Sequence, residues 1–275
     1  MYALILLFAI SLATPSDLKC DHCRGSIEDR YYTVDGNIYH QTCYRDEVAL
    51  KCAVCSDIIS GQYSIDPWGN SFHTEHLTST GLCESCSKII LDRREGGGYL
   101  HSHDRFVCGS CSRNSVDTLE EIQGSLKRVL EKLNSVGFYG FPESIPISIV
   151  SKSELLKLNG GNKHTKGLTD YKMHFSQGAR GKIQKHSKVY RVYILDNLAE
   201  LVFDAVLAHE LLHVWLFEND LDYNAFLTEG FCNLGAMLIY DRSSTELAKI
   251  QLDVMNKNTD TNYGEGYRSV RKCLE

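Results

Sequence analysis

Between Ser115 and Val136 apolar residues recur at three- and four-residue steps, at Leu119, Ile122, Leu126, Val129, Leu130, Leu133 and Val136. That period predicts one amphipathic helix. Asp117 is placed to cap its start with Glu120 three residues on, and Gly137 suits its end. Strand-like patterns follow. Ile145 to Val150 predicts a strand, and so does Lys188 to Leu195. In the latter, Val189, Arg191, Tyr193 and Leu195 alternate against Tyr190, Val192 and Ile194. Asn159 to Lys188 is rich in Gly, Lys and His, and reads as loop with one short strand at Tyr171 to Phe175. His164, His174 and His186 are then loop residues. Ala199 to Phe217 is apolar almost throughout and long enough for a buried helix. A further helical segment offers Phe226, Leu234, Met237 and Leu238 to the core. A small sheet followed by long helices is an α+β pattern.

The chain has 275 residues, room for two compact units. Its formal charge is -6, which argues against nucleic acid as a partner, since phosphate-binding surfaces are basic. At the N-terminus, Tyr2 to Ala13 is an apolar run of twelve residues. It is too short to span a bilayer and fits the core of a secretory signal over residues 1–13, with Ser11-Leu12-Ala13 as the cleavage region. The expected location is the secretory lumen or the exterior. Cytoplasm is the alternative, because no Lys or Arg precedes the run. No other segment is expected to form a stable membrane span.

Eleven cysteines change the picture. Eight form four C-x-x-C pairs, all before residue 112. Cys20-x-x-Cys23 is followed after 16 residues by His40-x-x-Cys43. Cys52-x-x-Cys55 is followed after 17 residues by His73-x-x-His76, and Cys83-x-x-Cys86 after 21 residues by Cys108-x-x-Cys111. Two residues between paired ligands let one tight turn aim both at a tetrahedral metal, so three structural zinc sites are expected. His101 and His103 lie near the third set, which four cysteines already complete. A disulfide framework is the competing reading. It leaves His40, His73 and His76 at ligand spacing unexplained. Short hairpins such as Ser64 to Phe72 bury little core, and zinc binding worth roughly 10–16 kcal/mol in finger peptides can decide their folding. The first two fingers resemble LIM domains, which are protein-binding modules, with linkers longer than usual. A finger region is thus expected over residues 17–112, and a second domain over 115–275.

The predicted long helix carries His209-Glu210-Leu211-Leu212-His213. His209 and His213, at i and i+4, leave one face and can share a zinc. Glu210 is placed to take a proton from a water that the metal polarises and to pass it to a leaving amine. Sixteen residues after His213 comes Glu229, in the next helical segment. It is the candidate third ligand, as in thermolysin-like (gluzincin) sites. Asn233, four residues on, can hold a ligand histidine through its other ring nitrogen. Cys232 reads as core.

The combination resembles a plant family of growth-restricting, ubiquitin-activated LIM peptidases, the "DA-one" family. The resemblance rests on Tyr39-His40-Gln41-Thr42-Cys43-Tyr44-Arg45 and Lys51-Cys52-Ala53-Val54-Cys55 in the fingers. In the second half it rests on Leu207 to Leu216, Glu229-Gly230-Phe231-Cys232 and Tyr263-Gly264-Glu265-Gly266-Tyr267-Arg268. Thr228 stands where the family pattern has the first of two adjacent acids. The resemblance implies one catalytic zinc on His209, His213 and Glu229, with Glu210 as base. It implies protein substrates, and ubiquitin or ubiquitinated proteins as partners. In gluzincins the oxyanion donor is a Tyr or His downstream of the third ligand. No His follows His213, and Tyr263, which opens the family-like motif, is the expected donor. A catalytically silent LIM-like adaptor is the alternative, which the presence of Glu210 disfavours.

Overall fold

A computed structural model describes residues 18–91, 99–102, 105–177 and 183–274; the expected signal segment at 1–13 lies outside them. The described chain forms two compact units. The smaller contains residues 18–82 and 88–91; the larger contains 83–87 and the described residues from Tyr99 onward.

The smaller unit is built from two short antiparallel hairpins. The first pairs β1 (Tyr31–Val34) with β2 (Asn37–His40), and the second pairs β3 (Tyr63–Ile65) with β4 (Ser71–His73). One-turn helices α1 (Gln41–Cys43) and α2 (His76–Ser79) follow their second strands. Around the second hairpin the buried cluster is only Cys52, Ile59, Phe72 and Ile89. Asp66 is buried with it, accepting from the backbone N–H groups of Trp68, Asn70 and Ile89 at 2.8–2.9 Å. So small an apolar core cannot offset the entropy of ordering the chain.

In the larger unit, β5 (Tyr99–Ser102) and β6 (Arg105–Val107) form a third hairpin, followed by α3 (Gly109–Arg113). Helix α4 (Leu119–Asn134) comes next. Its cap is Thr118, whose hydroxyl accepts from Glu121 N while the Glu121 carboxylate accepts from Thr118 N. The expected Asp117/Glu120 cap is thus displaced by one residue, because the threonine and glutamate satisfy two orphan N–H groups reciprocally. Strand β7 (Ile147–Val150) and helix α5 (Lys152–Leu158) lead to β8 (Gly167–Gln177) and β9 (Ile183–Leu195). The sheet order is β7-β9-β8, with β7 parallel and β8 antiparallel to β9. The core forms where this sheet meets α6 (Glu200–Glu218) and α7 (Ala225–Asp241). Helices α8 (Glu246–Lys257) and α9 (Gly266–Lys272) complete the unit.

The stretch expected as loop from Asn159 to Lys188 is instead mostly strand, and His174 lies within β8. Lys and His obscure an alternation in which Thr169, Tyr171, Met173 and Phe175 share one face. Tyr171 stacks on Phe217 of α6 with ring centroids 3.9 Å apart, so the strand is held by tertiary contact more than by composition. Around Gly264 the chain forms a π-helical turn, Thr261–Glu265, running directly into α9.

The start of α6 is tied to the third cysteine set. Ser85 lies inside that C-x-x-C turn, and its hydroxyl accepts from the buried Ala199 N–H at 3.0 Å. Val116 N donates to Leu198 O, and Glu200 N to Asn114 O. Buried Arg105 joins Glu84 to Asp196, and Lys152 donates to Glu84 at 2.6 Å. The third set thus belongs to the unit that holds α6. Replacing Ser85 by Ala leaves a buried N–H unpaired, and should cost about 1–3 kcal/mol. Urea unfolding of the zinc-loaded protein reads this as a lower midpoint; an unchanged midpoint would refute the capping role.

Candidate active site and metal centres

Helix α6 is buried on nearly every side, so its polar residues need partners from other elements. Two of them, His209 and His213, point toward α7. The helices can approach closely because α7 carries glycine at the contact. A Cβ at Gly235 would lie 2.7 Å from Ala208 O, inside any allowed separation. On the same helix, a Cβ at Gly230 would lie 2.4 Å from the Gly266 carbonyl carbon. These contacts bring Glu229 across to the two histidines.

The resulting distances are specific. His209 Nε2 lies 3.2 Å from Glu229 Oε2 and 3.2 Å from His213 Nε2, and His213 Nε2 lies 3.5 Å from Glu229 Oε2. A tetrahedron with zinc bonds of about 2.0–2.1 Å has edges of about 3.3 Å. Three donors at these separations therefore fit three corners of a zinc site and leave a fourth open. Burial alone would raise the Glu229 pKa, but His209 and His213 hold it well below the usual carboxylate range. The ring of His209 is fixed from behind. Its Nδ1 is 3.0 Å from Asn233 Oδ1, and Asn233 Nδ2 donates to Tyr263 O at 2.7 Å. With Oδ1 as acceptor, Nδ1 carries the proton and Nε2 faces the site.

Glu210 is 5% exposed and lies against the sheet, lining the same cavity as the histidines. Thr169 of β8 donates to its Oε2 at 2.7 Å. Tyr263 stands beside His209, with ring centroids 6.2 Å apart and nearly parallel planes. Burial, then the charges of Glu229 and Glu210, pushes the Tyr263 phenol well above its ordinary pKa, so it keeps its proton. A cavity of about 230 Å³ joins these groups, and Asn159, Asn162 and Thr165 close its other side. Cys232, beside Glu229, is fully buried in the core.

The three cysteine sets converge as well. Within each of the groups Cys20/Cys23/His40/Cys43, Cys52/Cys55/His73/His76 and Cys83/Cys86/Cys108/Cys111, one ligand atom per residue lies within 4.8 Å of all the others. All cysteines among the described residues are free of disulfides. Cys86 Sγ and Cys108 Sγ are 3.8 Å apart, matching the edge of about 3.8 Å for a tetrahedron with zinc–sulfur bonds of about 2.3 Å. Cys23 Sγ and Cys55 Sγ lie 3.3 and 3.5 Å from the Nδ1 atoms of His40 and His73. Each first cysteine also receives a backbone N–H: His40 N at 3.5 Å on Cys20, Val54 N at 3.4 Å on Cys52 and Cys108 N at 3.3 Å on Cys83. Burial opposes ionisation of Cys20 and Cys52, yet such backbone donors bring both thiols down to about 6, where thiolate ligands form readily. Several Cys/His clusters can therefore bind zinc.

Thr169, Gly167 and the 159–165 loop were not legible as site residues in the sequence. The usable signal was the shared parity of Gly167, Thr169 and Tyr171, once β8 is read as a strand.

Among known proteins, the chain is similar to Protein DA1-related 1 of Arabidopsis thaliana, 22% identical over 280 aligned positions that cover 89% of this chain and 50% of that protein. Protein DA1 of the same plant is 24% identical, over 82% of this chain and 48% of its own. The LIM domain-containing protein HDR3 of Oryza sativa subsp. japonica is 25% identical, over 82% and 51%. The chain spans about half the length of these curated relatives. No family model and no solved structure matches it.

Asn233 supplies a test that leaves the donor set intact. Asn233→Ala should weaken zinc binding at the His209 site by roughly 10–100-fold, the usual loss when a ligand histidine's outer partner is removed. Competition against a chelator measures it, and unchanged affinity would show that Asn233 does not orient the ring.

Proposed function

Because this chain belongs with the DA1 LIM-domain family, we propose that it is a zinc metallopeptidase acting on protein substrates, with its finger region serving protein interaction. The observation that carries this reading is the tetrahedral spacing of His209, His213 and Glu229 beside the Glu210 carboxylate, in one cavity. A purely structural zinc would be closed by a fourth ligand and would have no use for Glu210.

Zinc held by His209, His213 and Glu229 would supply Lewis acidity toward water and the scissile carbonyl. Glu210 accepts the proton of the attacking water and returns it to the leaving amine, so the carboxylate is regenerated in each cycle. The Tyr263 hydroxyl, kept protonated by its surroundings, donates to the carbonyl oxygen as negative charge develops. Asn233 and the Tyr263 backbone carbonyl keep His209 in one orientation. The cysteine-rich sets would hold three further zincs of structural kind. Ubiquitin or ubiquitinated proteins as partners, and entry into the secretory pathway through residues 1–13, belong to the same proposal.

Elemental analysis should find four zincs per chain, one for each ligand group. Fluorescent casein is the first substrate to use. Glu210→Gln should keep zinc and lose nearly all cleavage, and Tyr263→Phe should keep zinc and lower turnover by roughly 10²–10³-fold. A Glu210→Gln protein as active as the parent would overturn the reading.

A further inference from the structure

The face that β8 turns to α6 is composed in an unusual order. Gly167, Thr169 and Tyr171 are successive residues on that face. Tyr171 stacks on Phe217, as a strand residue covering a helix should. The two positions before it do something else. At Gly167 a Cβ would lie 2.5 Å from Glu210 Oε1 and 2.6 Å from Val206 Cγ1, so the strand comes this near only because the side chain is missing. At Thr169 the hydroxyl donates to Glu210 Oε2 at 2.7 Å. One carboxylate oxygen is thus walled in by bare backbone and the other is hydrogen-bonded. Packing alone does not require this arrangement, because Val has the same shape as Thr and suits a strand equally well.

We propose that Thr169 is a positioning residue for Glu210, aiming its carboxylate into the cavity, with Gly167 as the gap that lets the strand reach it. The inference rests on the peptidase reading above, in which Glu210 moves the proton. A carboxylate on a glutamate side chain has three rotatable bonds, and ordering it in advance removes rotamer freedom that the reaction would otherwise have to restrict. The Thr169 hydroxyl carries a single proton and has two acceptors in reach, Glu210 Oε2 and, at 3.1 Å, the Glu210 backbone carbonyl. One rotation about the Thr169 side chain therefore releases the carboxylate without moving the strand. The hydrogen bonds of the Thr169 hydroxyl go to Glu210 and to neither His209 nor His213, so its role is separable from metal binding.

The experiment uses the full chain loaded with zinc and a fluorogenic peptide taken from a casein cleavage site. Thr169→Val should lower kcat by about 10- to 100-fold with KM and zinc content unchanged, the size of effect a misplaced catalytic group gives. Thr169→Ser restores the hydroxyl and should recover most of the loss. Gly167→Ala leaves the hydroxyl in place but pushes against Oε1, and should reproduce the kcat defect. Crystal structures of the parent and Thr169→Val proteins give a readout independent of turnover. Glu210 should hold one side-chain orientation in the parent and leave it in the variant. A variant that keeps both kcat and the Glu210 orientation overturns the proposal, as does Thr169→Ser behaving like Thr169→Val. An inactive parent, or an active Glu210→Gln protein, defeats the peptidase reading instead. The Glu210 orientation in the crystals still decides the role of Thr169 in that case.

Discussion

The site depends on how closely α6 and α7 can approach. Gly235 of α7 lies against Ala208 of α6 and removes the side chain that would hold these two helices apart, while Gly230 lets α7 meet α9 in the same way, against Gly266. A methyl group at either place would meet backbone, which cannot give way as a flexible side chain can. Glu229 directly precedes Gly230, so the contact that seats α7 also fixes the carboxylate. The donor separations of 3.2–3.5 Å follow from this packing. The polar atoms gathered there are costly to bury unless they are paired or bind a metal.

The finger region solves a different problem. Its hairpins are too short to enclose a core, and its buried apolar clusters are small. The same knuckle geometry recurs three times: Arg24 N, Ser56 N and Ser87 N each donate to the carbonyl of the first cysteine four residues earlier, at 2.7–2.8 Å. Arg24, Ser56 and Ser87 all have left-handed backbone, with φ between 63° and 66°. Non-glycine residues adopt that conformation at a cost. The recurrence suits turns whose shape is dictated by paired ligands, since local propensity does not favour it.

What could be read from the sequence followed from spacing. The i, i+4 histidines, the C-x-x-C pairs and the amphipathic helix before Val136 depend on fixed geometry, and the structure has them where the spacing puts them. Asn233 was legible for the same reason, lying one helical turn beyond Glu229. Residues that act through tertiary contact were not. Thr169 and Gly167 lie in a segment whose Lys and His content hid its alternation, and nothing local says that β8 will meet α6. The glycines of the Tyr263 to Arg268 motif make close approaches in the same way. Gly264 approaches Asn258, and Gly266 approaches Phe226 and Gly230, the neighbour of Glu229, and only the folded chain reveals those partners. The Thr118 cap differed from the expected Asp117 by a single position because two adjacent residues both qualified.

The tie between Ser85 and Ala199 spans 114 positions of sequence, and that between Arg105 and Asp196 spans 91. A chain made from its N-terminus completes both histidine-containing finger sets well before either partner exists. Their ligands lie within about two dozen residues of one another, so loop closure is cheap and folding there is fast. The third knuckle is made just as early, yet its hydroxyl and its acidic neighbour have nothing to hold until α6 emerges. The growing chain thus presents the first two ligand sets complete before the residues that build the cleft exist, and the third C-x-x-C pair without its partners at the start of α6.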